Sequence, residues 1–188
     1  RHVKSMYNYA IMLSEEDGIE TNKKEAARYY KLSADKGNID SMYNYACMLD
    51  DGDGIETDKE EAVRYYELAI DEGNTDAMYN CAIMLDSGKG IRKNRRKAAQ
   101  YYKLAADKGH AGSMFSYAVM LENGEGIKEN KKEAARYYKL TIDEGNTKAM
   151  HNYAGMLLCG DGIAQNPKKA RQYYKMAADK GDVYSMKE

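Results

Sequence analysis

Between residues 41 and 49 apolar side chains fall at Met42, Tyr45, Ala46 and Leu49, with Tyr43 and Asn44 set between them. That i, i+3, i+4, i+7 spacing puts four apolar groups on one face of a short helix, here called helix A. Asp51-Gly52-Asp53-Gly54 follows, and paired glycines reach the positive φ that other residues resist, so they end the helix. Ile55 comes next, an apolar plug under a polar loop. A second helical face begins after Asp58 with Ala62, Tyr65, Tyr66 and Ala69, and Gly73 stops it. This is helix B. Neither helix can bury its own stripe, so the pattern predicts helix–turn–helix units that are stable by stacking on one another.

The same pattern recurs along the whole chain. Met6, Met42, Met78, Met114, Met150 and Met186 are 36 residues apart, and so are Gly37, Gly73, Gly109, Gly145 and Gly181. The pairs Tyr29–Tyr30, Tyr65–Tyr66, Tyr101–Tyr102, Tyr137–Tyr138 and Tyr173–Tyr174 keep that register. The expected fold is all-α, an α-solenoid of about five repeats. They are assigned to 1–36, 37–72, 73–108, 109–144 and 145–180, with a partial repeat at 181–188, in one array over 1–188. A helices are predicted to start near 39 and B helices near 58, and every 36 residues thereafter. Asn22, Asp58, Asn94, Asn130 and Asn166 stand where helix B needs an N-cap. Glu25, Glu61 and Glu133, three residues on, predict capping boxes, while Pro167 opens the last B helix. Glu16 replaces the first loop glycine of the first repeat, so that loop is expected to differ. Small alanines opposite large tyrosines predict close, interlocking helix pairs. The chain starts at Arg1 rather than Met and ends inside a repeat, which suggests a segment of a longer protein.

The motif Tyr45-Ala46-x-x-Leu49-x-x-Gly52-x-Gly54-Ile55, followed by Ala62-x-x-Tyr65-Tyr66-x-x-Ala69 and Gly73, resembles the Sel-one-like repeat family. These repeats are relatives of the tetratricopeptide repeat, lengthened by the Gly-x-Gly turn. Tyr45 stands where the family often has Leu and Leu49 where it often has Tyr, a swap that roughly conserves volume. The resemblance implies a right-handed α-solenoid with A helices along a concave face, and a role as an adaptor in protein complexes. A shared fold does not transfer a partner.

Composition narrows the function classes. The 188 residues are 43% hydrophobic and 31% charged with net charge −1, and the mean hydropathy is −0.81 with pI near 6.4. That balance sets up no general field for nucleic acid or an anionic membrane. No apolar run approaches the roughly 18 residues of a membrane span, and no signal peptide opens the chain. Cys47, Cys81 and Cys159 occupy unrelated repeat positions, which argues against a disulfide framework or zinc site and for the cytoplasm. No Asn-x-Ser/Thr sequon occurs. The Gly-x-Gly loops follow no strand and lack the third glycine of a dinucleotide site. Counting back from the glycines of the Asp50–Gly54 loop puts Cys47 or Leu49 where a calcium loop needs its first Asp. His2, His110 and His151 share no ligand spacing, and no nucleophile–base pair stands out. The expectation is no enzyme, no cofactor and no metal.

Binding features remain. Immediately after each repeat methionine stands a column on helix A: Tyr7-Asn8, Tyr43-Asn44, Tyr79-Asn80, Phe115-Ser116 and His151-Asn152. These positions lie off the buried stripe, where Asn offers a donor and an acceptor to an extended peptide and the aromatic offers flat contact area. A plain alternative has the Tyr packing between adjacent A helices and the Asn bonding the neighbouring repeat. Charge is also segregated: residues 37–72 are net −9 and residues 73–108 net +5. Arg92, Lys93, Arg95, Arg96 and Lys97 crowd the start of a B helix, where the helix dipole disfavours cations. They are candidate contacts for an acidic segment, or a counterweight to the acidic repeat before them. Met42 and Met48 with their equivalents read as core rather than as an adaptable surface. The function expected is a protein-interaction scaffold that holds a partner segment in a groove lined by A helices. The alternative is a permanent structural subunit held through charged outer faces. Single-stranded RNA binding is disfavoured by charge and by the near-uniform repeats.

Overall fold

The computed structural model describes residues 2–15 and 21–181. The expected departure at Glu16, the plug Ile19 and the partial sixth repeat with Met186 lie outside the described residues. The chain divides into two compact units, Arg1–Lys93 and Asn94–Glu188. The first holds α1 (Val3–Ser14), α2 (Lys23–Ala34), α3 (Ile39–Asp51), α4 (Lys59–Asp71) and α5 (Thr75–Ser87). The second holds α6 (Arg95–Asp107), α7 (Ala111–Asn123), α8 (Lys131–Asp143), α9 (Thr147–Cys159) and α10 (Pro167–Asp179). Odd-numbered helices are the A helices and even-numbered ones the B helices, and no strand occurs among the described residues. Within each unit every helix packs on the next one along the chain, the quasi-one-dimensional arrangement that repeats produce.

The helix ends follow from local chemistry. The side chains of Asn22, Asp58, Asn94, Asn130 and Asn166 each accept the backbone N–H three residues on, at Glu25, Glu61, Lys97, Glu133 and Lys169. The capping boxes form by half. The N-cap N–H of Asn22, Asp58, Asn130 and Asn166 donates instead to the carbonyl of Leu13, Leu49, Leu121 and Leu157 near the end of the preceding A helix. That bond satisfies an orphan donor and an orphan acceptor together, and frees the glutamates to pair with Arg28, Arg64 and Arg136. The A helices are capped as well, by Asn38, Asn74, His110 and Asn146.

Gly52 ends α3 in the left-handed region, φ +74, with its N–H on the Met48 carbonyl. The second loop glycine has a different task. A Cβ on Gly126 would lie 2.5 Å from the carbonyl carbon and oxygen of Arg95, the first residue of α6. The loop therefore rests on the backbone of the preceding B helix, as the loops of Gly54 and Gly162 rest on Lys23 and Lys131. Side chains brace the same junctions: Lys23 pairs with Asp53 at 2.7 Å, Arg95 with Glu125 at 3.3 Å and Lys131 with Asp161 at 2.8 Å.

Alanine and tyrosine make the core. Ala46, Ala62, Ala69, Ala98 and Ala134 are fully buried, and so nearly are Tyr65, Tyr66 and Tyr138. Met48, Met84, Met120 and Met156 are buried as expected of core residues, whereas Met12 in the first repeat is 49% exposed. No repeat of the described chain precedes it.

Candidate binding surfaces

The tyrosine pairs of α2, α4, α8 and α10 each work as a two-pronged contact to helix A of their own repeat. The first ring meets an A-helix tyrosine edge-on: Tyr65 with Tyr45 at 4.8 Å between centroids, Tyr137 with Tyr117 at 5.1 Å, Tyr173 with Tyr153 at 5.2 Å. The second ring meets the column aromatic: Tyr30 with Tyr7 and Tyr66 with Tyr43 at 6.1 Å, Tyr138 with Phe115 at 5.9 Å, Tyr174 with His151 at 5.3 Å. The column rings are half-buried. This arrangement absorbs most of the 18 tyrosines.

Two column asparagines reach back to the repeat before them. Asn80 Nδ2 donates to Tyr43 Oη at 3.2 Å and lies 3.9 Å from Cys47 Sγ. Asn152 Nδ2 donates to Tyr138 Oη at 3.1 Å. Tyr66 Oη donates to Cys47 Sγ at 3.3 Å, and Tyr138 Oη to Glu122 at 2.5 Å. Burial, seconded by the neighbouring thiol, pushes the Tyr43 phenol up to about 12, and burial raises Tyr66 and Tyr138 further. The column therefore joins repeats while its rings stay half-buried. Asn8 is exposed, and Tyr79, Ser116 and His151 are half-buried.

Where the column reaches α9 the surface opens into a cavity of about 410 Å³. His151, Asn152, Cys159 and Tyr174 line it, together with Glu122 and Asp161. Gly155 makes the room, standing where the other A helices carry Ile11, Cys47, Ile83 and Val119.

The five basic residues are not one cluster of equivalent groups. Arg92 and Lys93 are exposed in the loop that ends the first unit. In the second unit Arg95 opens α6 and pairs with Glu125, Arg96 is exposed, and Lys97 lies over the Tyr101 ring at 5.7 Å. No group of His, Cys, Asp and Glu suited to a metal occurs among the described residues, and none of their helices is long and apolar enough to cross a membrane. Of the three cysteines Cys81 is buried, Cys47 half-buried and Cys159 exposed.

The Sel1 repeat family model matches residues 3–38, 39–74, 75–110, 111–146 and 147–182. A crystal structure of a protective antigen present in uropathogenic Escherichia coli strains, described as displaying an SLR fold, superposes on 98% of this chain. Its TM-score is 0.92 at 23% identity, and the chain spans 39% of that protein's length. A Sel1 repeat protein from Oxalobacter formigenes matches with TM-score 0.83 and 24% identity, over 98% of this chain and 74% of that one. Helicobacter pylori cysteine rich protein B matches with TM-score 0.54 and 20% identity, over 67% of this chain and 93% of that one. At these identities the likeness is one of fold. No curated protein matches the chain.

Proposed function

The chain belongs to the Sel1 repeat family, whose members generally act as protein-interaction scaffolds, and we propose that it binds a segment of a partner protein along the column of its A helices. The observation that carries this reading is the 410 Å³ cavity opened by Gly155 beside His151 and Asn152. An apolar side chain of a partner would enter there, against Tyr174 and Met156, while the polar rim orients its backbone. In the first unit the corresponding contacts are the half-buried rings of Tyr7, Tyr43 and Tyr79 with Asn8, Asn44 and Asn80. In the second they are Phe115, Ser116, His151 and Asn152. Rigid aromatic rings already held by Tyr30, Tyr66 and Tyr138 lose little freedom when a ligand covers them. Arg92 and Lys93 in one unit, and Arg95, Arg96 and Lys97 in the other, are proposed as secondary contacts for acidic residues. Arg92 and Arg96 are the most available of them.

A second reading, a fixed subunit of an assembly, is favoured by one feature. The same position of every B helix carries an exposed aliphatic side chain: Leu32, Leu68, Leu104, Leu140 and Met176, between 39% and 46% exposed. Photo-reactive residues placed singly at 44 and 152, and at 68 and 140 for comparison, separate the two readings in extracts of the cells that make the protein. Adducts from 44 and 152 that are lost in Gly155→Ile, with the melting temperature unchanged, are expected. Adducts from 68 and 140 alone would overturn the A-helix reading and favour the subunit.

A further inference from the structure

Two cavities recur at one register, 108 residues apart. In the first unit the site is lined by Lys24, Ala27, Arg28, Lys31, Tyr45 and Ile55; in the second by their equivalents Lys132, Ala135, Arg136, Lys139, Tyr153 and Ile163. Each lies between a B helix and the A helix and loop of the next repeat, apart from the column described above. The site in the second unit holds about 530 Å³ and that in the first about 410 Å³. Both have an apolar floor of one tyrosine, one isoleucine and one alanine.

Their electrostatics differ. In the first unit Lys31 is answered: its ammonium lies 3.6 Å from Glu61 and 3.8 Å from Asp35, and it donates to Tyr65 Oη at 2.5 Å. Its equivalent, Lys139, makes no ion pair among the described residues. The position of Glu61 is held in the second unit by a second cation, Lys169. Both lysines are exposed. The nearby carboxylate Glu133 is engaged by Arg136 at 3.6 Å and by Asn130 Nδ2 at 3.2 Å. Asp143 follows Lys139 one turn on without pairing to it. Residues 131–143 and 167–179, the two B-helix segments of this region, hold eight basic and three acidic side chains, net +5. The equivalent segments 23–35 and 59–71 hold six of each, net zero.

We propose that the cavity between α8 and α9 is a docking site for an acidic segment of a partner protein. One aromatic or aliphatic side chain of that segment sits on Tyr153 and Ile163, and flanking carboxylates meet Lys132, Lys139 and Lys169. The apolar floor rewards burial of a side chain. The unanswered cations select an acidic neighbourhood around it and accelerate encounter. A neutral segment would leave Lys139 without a countercharge, so the charge selects the partner and the floor anchors it.

The test uses the 188-residue chain and a fluorescent peptide with a single phenylalanine among glutamates, followed by anisotropy at low and moderate ionic strength. Lys169→Glu places there the residue that stands at 61 and 133, and a glutamate in the first turn of a helix supports it, so the variant is expected to melt no lower than the parent. It should weaken the peptide about tenfold, as should exchange of the peptide's glutamates for glutamine. Exchange of its phenylalanine for glycine should also weaken binding, and the Ile163 methyl signals should move on titration while those of Ile55 stay. Equal affinity for the parent and Lys169→Glu, equal movement at Ile55, or no loss with the glycine peptide would each overturn the proposal. So would tighter binding of a single-stranded oligonucleotide than of the acidic peptide.

Discussion

Replacing Gly126 with alanine tests why each repeat carries a second loop glycine. Two costs are expected there, and Gly109 isolates one of them. Gly126 has φ +72 and Gly109 φ +91, so an alanine at either meets the left-handed penalty of about 1–2 kcal/mol. At either it also gains the few tenths to about 1 kcal/mol from a less flexible unfolded chain. Their surroundings differ: a Cβ on Gly109 finds nothing within 4 Å, whereas on Gly126 it lies 2.5 Å from the Arg95 carbonyl carbon and oxygen. Those are backbone atoms at the start of α6 and no rotamer change relieves the overlap. The loop must lift, which opens the 3.3 Å pair of Arg95 and Glu125 and adds an overpacking cost of about 1–3 kcal/mol. Gly126→Ala should therefore destabilise by about 1–4.5 kcal/mol net and Gly109→Ala by about 0–1.5 kcal/mol. Urea unfolding followed by circular dichroism, comparing midpoints at equal slope, measures both. Equal losses at the two sites would refute the idea that loop and preceding helix are in backbone contact.

Three further outcomes follow from the same geometry. His110→Ala removes the ring nitrogen that accepts the Ser113 N–H at 3.0 Å and should cost about 0.5–2 kcal/mol. His110→Asn, the residue at 38, 74 and 146, should restore most of the thermal midpoint, and a midpoint left unchanged by alanine would deny the cap. Asn80→Ala loses the bond to Tyr43 Oη and should cost about 0.5–1.5 kcal/mol; no change in melting would mean that this Asn serves a ligand alone. Tyr43 is raised to about 12 in the folded chain against about 10 unfolded. The unfolded chain therefore releases that proton first, and stability is full below pH 10 and falls between pH 10 and 12. Phenolate absorbance against pH should rise late and in step with loss of helix, and an early, simple titration would contradict the burial of these phenols.

How much of this was legible depended on how local the cause was. Helix starts and B-helix caps depend on a few adjacent residues, so Asn22 and its equivalents could be placed from sequence. The caps at Asn38, Asn74 and Asn146 were equally local, and the signal was an Asn directly after each terminating glycine, hidden by His110 in the third instance. The reciprocal half of the capping box failed for a tertiary reason. The N-cap N–H of Asp58 meets the Leu49 carbonyl only once the hairpin has closed. Likewise periodicity puts Asn80 on the open side of helix A but cannot show that the next repeat is offset enough to bring its amide to Tyr43. The cavity of Arg136, Tyr153 and Ile163 joins residues from two helices and a loop, and only aligning the repeats would have suggested it.

That alignment also indicates where selectivity can reside. The second ring of each pair is Tyr30, Tyr66, Tyr102, Tyr138 and Tyr174 without exception, whereas the exposed charges change sign between repeats. Residues 25, 61, 97, 133 and 169 read Glu, Glu, Lys, Glu, Lys, and the loop residues 53, 89, 125 and 161 read Asp, Lys, Glu, Asp. Truncating a fully buried phenol such as Tyr138 empties core space and removes the group that Glu122 and Asn152 bond, a loss of about 3–5 kcal/mol. Altering an exposed pair costs about 0–1 kcal/mol. Charge can therefore be rewritten repeat by repeat on an unchanged frame. The junction at Lys89 illustrates it: with Lys in place of the loop acid, Lys59 turns to the carboxylate and carbonyl of Asp50 within its own repeat. The helices keep their register, and Lys89 is left exposed without an ion pair among the described residues. The same substitution logic at Lys169 leaves Lys139 unanswered beside an apolar floor, so a change that costs the fold little alters what the surface can receive.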